Sequence, residues 1–548
     1  MSEKKKIKRF DEDKSYMRLD LFEKYRRARA SYDLELAENE QWWLLKGSLP
    51  EGMSRNSAWT FNSIAGKHAD AMDNIPTPAV LPREPSDVES AAELSEILPA
   101  LLGRNGFTRV WSDCWYDKLR YGAGVYGVFW DNSLMGGLGD VSVRRLELSS
   151  LYFEPGVSDV QDSSSLFYVT FVPTETVCRL YPALSRVVSG EDDTSFAVEI
   201  EGMNIPEGRT AVIDRYYKKR IHGRKVLHFC RSVRGTLVYA SEKDPLYAER
   251  GYYDHGLYPV VFDPLYDRPG SPCGFGIIDI AKGAQEQIDR LESALVQNSR
   301  MAAARRYFAR ESCGINEEEF TDWSSPIVHY SGSGDPSESV MPIEVQKLDG
   351  VYLDMLSYKV DELKETSGNR DFNQGSTSSG VTAASAIAAL QEAGNKLSRD
   401  MLAGSYHAFE QVCTMMIELI RQFYTLPRCF RITGDSARGS TFRDFDNSSI
   451  VAQKQGVYKD RLPMFDITVR AERQSPYSKA ASNELAEAFF KAGFFAPEKR
   501  EEALLCLEMM DFDGRDRIAG LIRNGMTLSP LTKEENKAGS GVSALDKG

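Results

Sequence analysis

Residues 277–310 read Ile277-Ile-Asp-Ile-Ala-Lys-Gly-Ala-Gln-Glu-Gln-Ile-Asp-Arg-Leu-Glu-Ser-Ala-Leu-Val-Gln-Asn-Ser-Arg-Met-Ala-Ala-Ala-Arg-Arg-Tyr-Phe-Ala-Arg310, without proline and without glycine after Gly283. The run predicts one continuous helix, roughly 50 Å long at 1.5 Å per residue. Its apolar positions, Ile280, Ala284, Ile288, Leu291 and Leu295, form a narrow stripe. A stripe this narrow suits packing against neighbouring helices better than burial in a globular core. Downstream, Glu311–Gly350 is a compact stretch of mixed character. Val351–Thr366 is helical again, with Leu353, Leu356, Val360 and Leu363 on one face. Two helices joined by a small module form either a projecting antiparallel stalk or an ordinary core hairpin.

Next comes a polar, glycine-bearing loop, Ser367-Gly-Asn-Arg-Asp-Phe-Asn-Gln-Gly-Ser-Thr-Ser-Ser-Gly380. It has neither a helical nor a strand period. Such a loop suits contact with a moving polyanion without gripping it, or simply solvent. Val381–Tyr424 is a second long helical stretch. Gly394 and Gly404 each cost about 1 kcal/mol there relative to alanine, which predicts a kink or break. Strand-like pieces follow at Cys429–Thr433 and Phe465–Arg470, then helices at Ser478–Ala492 and Pro497–Asn524, and a polar end after Pro530.

Upstream, helices are predicted over Tyr16–Trp43, over Asn62–Asp73 before Pro76 and Pro78, and from Ser86, where Glu89 completes a capping-box pattern. Another runs from Phe107 to Tyr121 and stops at Gly122-Ala-Gly124. The period then changes to that of strands: Val125–Trp130, Asp140–Arg144, Leu166–Phe171, Thr210–Tyr217, Lys225–Cys230, Thr236–Ala240 and Tyr258–Phe262. The chain therefore reads as α+β.

Composition narrows the function. The 548 residues suffice for two to four domains, and 42% hydrophobic with 27% charged residues is ordinary for a globular chain. With a net charge of −13 and a pI near 5.3 no broad basic surface is expected, and a DNA partner would be held loosely rather than by extensive phosphate neutralisation. The basic start, Met1 to Phe10, leads into Asp11-Glu-Asp13 with no apolar run behind it, unlike a secretory signal. No apolar stretch approaches the ~20 residues of a membrane-spanning helix. Eight cysteines stand singly, without a CxxC pair, and read as reduced thiols.

No catalytic pattern fits the sequence. There is no GxxxxGK[ST] phosphate loop, no GxSxG elbow and no HExxH pair. His222 and His228 can meet across a hairpin, but carboxylate and cysteine partners at metal spacing are missing. Asp511–Asp516 has only part of a calcium-loop pattern and reads as a helix-end turn. The acidic clusters Glu191–Asp193 and Glu317–Glu319 read as solvated loops. No catalytic residue, metal or cofactor is expected.

One stretch carries a specific likeness. Asn369-Arg-Asp-Phe-Asn-Gln-Gly-Ser-Thr-Ser-Ser-Gly-Val-Thr-Ala-Ala-Ser-Ala-Ile-Ala-Ala-Leu-Gln-Glu-Ala-Gly-Asn-Lys-Leu-Ser-Arg399 resembles the region after the second stem helix in portal proteins of tailed bacteriophages, podovirus-type portals included. Arg55–Asn62 with Asn74–Pro78, Tyr121–Asp131, and Gly274–Ile280 with Gln285–Arg290 are similar to portal segments in the same order. The resemblance implies a portal fold: an α/β wing with N-terminal helices over 1–276, a two-helix stem at 277–310 and 351–366, and a small α/β clip at 311–350. A tunnel loop at 367–380, a long kinked wing helix at 381–424, returning wing strands at 425–477, a helical crown at 478–530 and a tail at 531–548 complete it.

It further implies a homo-oligomeric ring of about twelve copies at one capsid vertex. That ring is assembled in the host cytoplasm and is not catalytic. Partners implied are double-stranded DNA passing non-specifically, the terminase large subunit, head-completion and tail-adaptor proteins, and capsid and scaffolding proteins, with no membrane. In the tunnel loop, Arg370, Asn373, Gln374, Ser376, Thr377, Ser378 and Ser379 would face the channel. Arg290, Arg300, Arg305, Arg306 and Arg310 near the clip would face DNA, a neighbouring subunit or solvent. The alternatives are a shorter ring connector, against which length and element order weigh, and a metal-dependent nuclease, for which no site was found.

Overall fold

The computed structural model describes residues 13–46, 57–185, 205–303, 306–332, 335–343, 349–368, 396–432, 441–451, 462–473, 488–489, 491, 493, 500–508, 518–520 and 522. The chain divides into two units, Met1–Glu472 and Arg473–Gly548.

In the first unit, α1 (Leu19–Trp43), α2 (Trp59–Met72), α3 (Val88–Arg104) and α4 (Phe107–Tyr121) occupy the four predicted helical stretches. The start of α3 departs from expectation: a 3-10 turn at Pro85–Asp87 leads in, and Asp87 rather than Ser86 takes the N-cap position, without a side-chain cap bond. A strand unforeseen in the sequence, β1 (Asn74–Pro82), pairs with β16 (Phe465–Arg473). Its prolines are tolerated because the strand has one partner and leaves an open side.

Helix α4 buries Phe107, Trp111, Cys114, Trp115, Lys118 and Leu119, one face at helical spacing. It ends at Gly122, whose φ of +94° closes the helix in the left-handed region. A Cβ there would lie 2.5 Å from the Gly274 carbonyl oxygen, so backbone passes against backbone where the wall of α4 turns into β2 (Ala123–Asp131). That strand is buried on both faces from Ala123 to Phe129 and lies between β3 (Asp140–Arg145) and β9 (Val260–Pro264), antiparallel to both.

A second sheet is antiparallel in the order β4 (Leu151–Phe153), β5 (Ser165–Pro173), β6 (Arg209–Ile221), β7 (Arg224–Val233), β8 (Thr236–Ala240). Period-two alternation splits its side chains. Phe167, Val169, Ala211 and Ile213 pack on Phe22 and Tyr25 of α1, while Leu166, Tyr216 and Phe229 join the main core. The short helix α5 (Thr174–Leu180) covers Val212 and Val233 with Val177. Strands β10 (Tyr266–Arg268) and β11 (Ser271–Phe275) form a small ribbon before the long helix.

That helix, α6, spans Ile277–Ala303, about 40 Å, not the full run to Arg310. Arg306–Ala309 is instead strand β12, paired with β13 (Val340–Ile343). Tyr307 and Phe308 favour extended backbone, and a cross-strand partner from thirty residues away overrides the local helical signal. Between the two strands lie the short helices α7 (Glu317–Thr321) and α8 (Pro336–Ser339).

Helix α9 is Val351–Thr366. Helix α10, Lys396–Phe423, runs unbroken through Gly404, so the expected interruption there is absent; Gly394 lies outside the described residues. A Cβ at Gly404 would lie 3.9 Å from Lys118 Nζ, an ordinary contact, so this side of the helix faces a buried lysine without needing a glycine to admit it. Strands β14 (Arg428–Ile432) and β15 (Thr441–Phe445) follow.

In the second unit the described helix is α11 (Arg500–Glu508), which buries Ala503 and Leu507. Most of the two predicted C-terminal helices lies outside the described residues.

Candidate channel and assembly surfaces

The base of the α6/α9 pair is seated on α2 by buried polar contacts. Gln285 of α6 accepts from the Thr60 backbone N–H (3.2 Å) and donates to the Ser57 carbonyl (3.2 Å) and to Asp289 (3.1 Å). Ser63 and Ser367, just past α9, share a 3.0 Å hydroxyl contact. Lys67 then donates to the Gly368 carbonyl (3.1 Å) and to Ser398 Oγ of α10 (2.8 Å), while Ser398 donates to Asp70 (2.7 Å). Burial lowers the Lys67 pKa, and the nearby Asp70 carboxylate opposes that shift. Because the N-terminal half of α6 and the end of α9 both rest on α2, the two helices run antiparallel.

The buried face of α6 is thus rotated from the predicted stripe: Gln285, Asp289 and Ser293 are buried with Ile288, whereas Leu291 and Leu295 are only half-buried. Hydrophobic periodicity cannot find such a seam. Ser57, Thr60 and Ser63, spaced three apart around the start of α2, were the available signal.

Away from that base the pair is bare. Beyond Ser293 no residue of α6 is buried, and Leu363 is the one buried residue of α9. Val351, Leu353, Met355 and Tyr358 are exposed, Tyr358 at 65%. The 306–343 module repeats this. Cys313 is its one buried residue among those described, while Phe308 is 67% and Trp323 92% exposed. Its order comes from local polar contacts. Asn316 Oδ1 caps α7, and Glu319 accepts from both the backbone N–H (2.7 Å) and Nδ1 (2.8 Å) of His329, which holds its carboxyl below the usual range. A module that buries so little cannot stabilise itself by hydrophobic burial alone.

Of the five arginines singled out in the sequence, Arg290, Arg300, Arg306 and Arg310 are exposed, and Arg290 pairs with Glu286 one turn back. Arg305 lies outside the described residues, as do Arg370, Asn373, Gln374, Ser376, Thr377, Ser378 and Ser379 of the loop. Glu317–Glu319 form the first turn of α7, where negative charge suits the helix dipole; Glu191–Asp193 and Asp511–Asp516 are outside the described residues. His222 sits exposed in the β6–β7 turn with φ +48°, while His228 is buried with Nδ1 3.1 Å from Ser241 Oγ, so the hairpin keeps them apart. Among the described residues, no three histidine, cysteine or acidic side chains converge to hold a metal ion, and no helix is long and apolar enough to cross a membrane. All eight cysteines are free thiols, with Cys429 exposed.

A mixed α/β body carrying a bare helix pair tipped by a small ribbon module defines a subunit built for assembly. Residues 270–541, about half of the chain, match the family described as phage P22-like portal protein, and over that segment the chain belongs to this family. The match supports a tailed-phage portal protein with a phage portal or connector role, in a family that is structural rather than enzymatic. A search of the curated proteins finds no match.

Proposed function

We propose that this chain is the subunit of a ring at one capsid vertex, the channel through which the terminase motor packages DNA and through which DNA later leaves. In this reading α6 and α9 are the stem and 311–350 the clip. Residues 367–380 are the tunnel loop, 381–424 the wing helix that follows it, 425–477 returning wing strands and 478–530 the crown. The clip receives the terminase and later the head-completion and tail-adaptor proteins, and the ring nucleates head assembly with capsid and scaffolding proteins. About twelve copies close the ring.

The observation that carries the reading is the uncovered apolar surface of the helix pair and its tip. Val351, Leu353, Met355 and Tyr358 on one helix, with Phe308 and Trp323 in the module at its end, expose many large apolar side chains for an isolated subunit in water. Adjacent copies placing stems side by side would bury them. The seam on α2 complements this by fixing both stem helices and the start of α10 to one element, so that the two sides of the 369–395 segment share a single base.

Particle mass and symmetry of the purified protein, from mass photometry and negative-stain class averages, test the proposal. A ring of about twelve subunits with a central hole is expected. A closed dimer with metal-dependent nuclease activity abolished by a single carboxylate substitution would overturn it.

A further inference from the structure

Between Asp214 and Glu242 the sequence holds eight lysines and arginines and no acid, in a chain whose net charge is −13. Five of them, Lys218, Lys219, Arg220, Arg224 and Lys225, fall within eight residues around the β6–β7 turn. The register places them on a projecting ribbon. Strand β5 leaves β6 at the Ser165–Tyr217 pair, and β8 joins β7 only from Cys230 onward. The rungs Lys218–Leu227, Lys219–Val226, Arg220–Lys225 and Ile221–Arg224 therefore stand beyond both neighbouring strands. His222 and Gly223, with φ of +48° and +81°, make the tight turn at the tip.

The root of the ribbon is buttressed. Gly251, at φ +94°, lets the 249–258 loop close on it: a Cβ there would lie 2.4 Å from Val226 Cγ1, and the Tyr252 N–H donates to the Leu227 carbonyl at 2.7 Å. Acid is also spent at the root, where Lys219 pairs with Glu242 at 2.8 Å and Lys218, over the Tyr258 ring, has Asp159 and Asp162 nearby. Beyond it, Arg220, Arg224 and Lys225 are exposed, and no ion pair among the described residues involves them. Arg220 stands directly opposite Lys225, a like-charge pair that costs the hairpin stability. Folding gains nothing from that arrangement.

We propose that the Lys218–Lys225 ribbon tip is a sequence-independent binding surface for the phosphate backbone of double-stranded DNA. Guanidinium and ammonium groups at a narrow rigid tip match phosphates. A protein partner would call for an aromatic or apolar centre with few lysines, and between Lys218 and Lys225 the apolar side chain is Ile221 alone. The charge argument is independent of the ring; only the assignment of packaged or passing DNA as the occupant rests on the channel reading.

The test uses the full chain, a labelled 30-base-pair duplex and fluorescence anisotropy between 50 and 200 mM NaCl. Three to four phosphate contacts give a log–log salt slope of about −2.7 to −3.6, an affinity loss of roughly a hundredfold across that range. The R220E/R224E/K225E variant is expected to bind at least tenfold more weakly, with a slope near zero. Undiminished binding by this variant, absence of binding by the parent at 50 mM salt, or preference for polyglutamate of equal charge would overturn the proposal, the last in favour of an acidic protein. Mass photometry in parallel separates the two readings. Loss of rings with DNA binding retained sinks the channel and leaves the ribbon, and intact rings with unaffected DNA binding in the variant sink the ribbon alone.

Discussion

Replacing Lys118 by methionine tests what holds the long helix α10 in place. Lys118 and Asp263 are both buried, their side chains 1% and 2% exposed, and meet at 2.6 Å. Lys118 also donates to Ser405 Oγ (2.7 Å) and to the Met401 carbonyl (3.2 Å), while Ser405 donates to the second Asp263 oxygen. Seven residues earlier, Ser398 makes the equivalent contact to Lys67. A slip of α10 by one turn would set Leu402 or Phe409 against a buried ammonium, so two lysines from α2 and α4 fix its register.

Lys118→Met keeps the packing volume but strands the Asp263 carboxylate in the core. Removing one partner of such a pair costs about 3–5 kcal/mol. Adding Asp263→Asn removes the stranded charge, and the double variant should return to within about 1–2 kcal/mol of the parent. Urea unfolding at several fixed protein concentrations reads the change while separating out the mass action of assembly. A loss below about 1 kcal/mol in the single variant, or a double variant no better than the single, would refute the idea that this pair anchors the helix.

Three further outcomes are expected. Gly122→Ala places a Cβ against the Gly274 carbonyl at φ +94°, and combined strain and overlap should cost about 3 kcal/mol or more, read as a fall in Tm. His255 is half-buried, with its Nε2 shielded from solvent and unpartnered, and desolvation pushes its pKa down to about 4, below its unfolded value. The stability tied to its neutral form is then full above about pH 6.5 and is lost as pH falls toward 4, by up to about 3 kcal/mol, a loss that His255→Gln should flatten in urea midpoints measured against pH. L353K/Y358K should leave the far-UV spectrum unchanged while blocking ring assembly in mass photometry; rings of undiminished mass would remove the helix pair from the subunit interface.

Sequence alone determined the elements whose signals are local. The apolar spacing and closing glycine of Phe107–Tyr121, the alternation of β5 to β8 and the span of Val351–Thr366 are all readable, because helix period, strand period and turn chemistry act within a few residues. So was the likeness of Asn369–Arg399 to portal proteins, although most of that stretch falls outside the described residues. The basic run around His222 was visible too, but an acidic average concealed it.

Tertiary structure decided what depends on distant partners. Arg306–Ala309 became a strand because Val340–Ile343 lies beside it, and Asn74–Pro82 became one because Phe465–Arg473 does. Gln285, Asp289, Lys67 and Lys118 are polar residues that a sequence reading places on the surface. They are buried here because groups 145 to 331 residues away complete their hydrogen bonds. Burial of a polar group is set by where its partner sits, and that position is a property of the folded chain rather than of any local stretch of it.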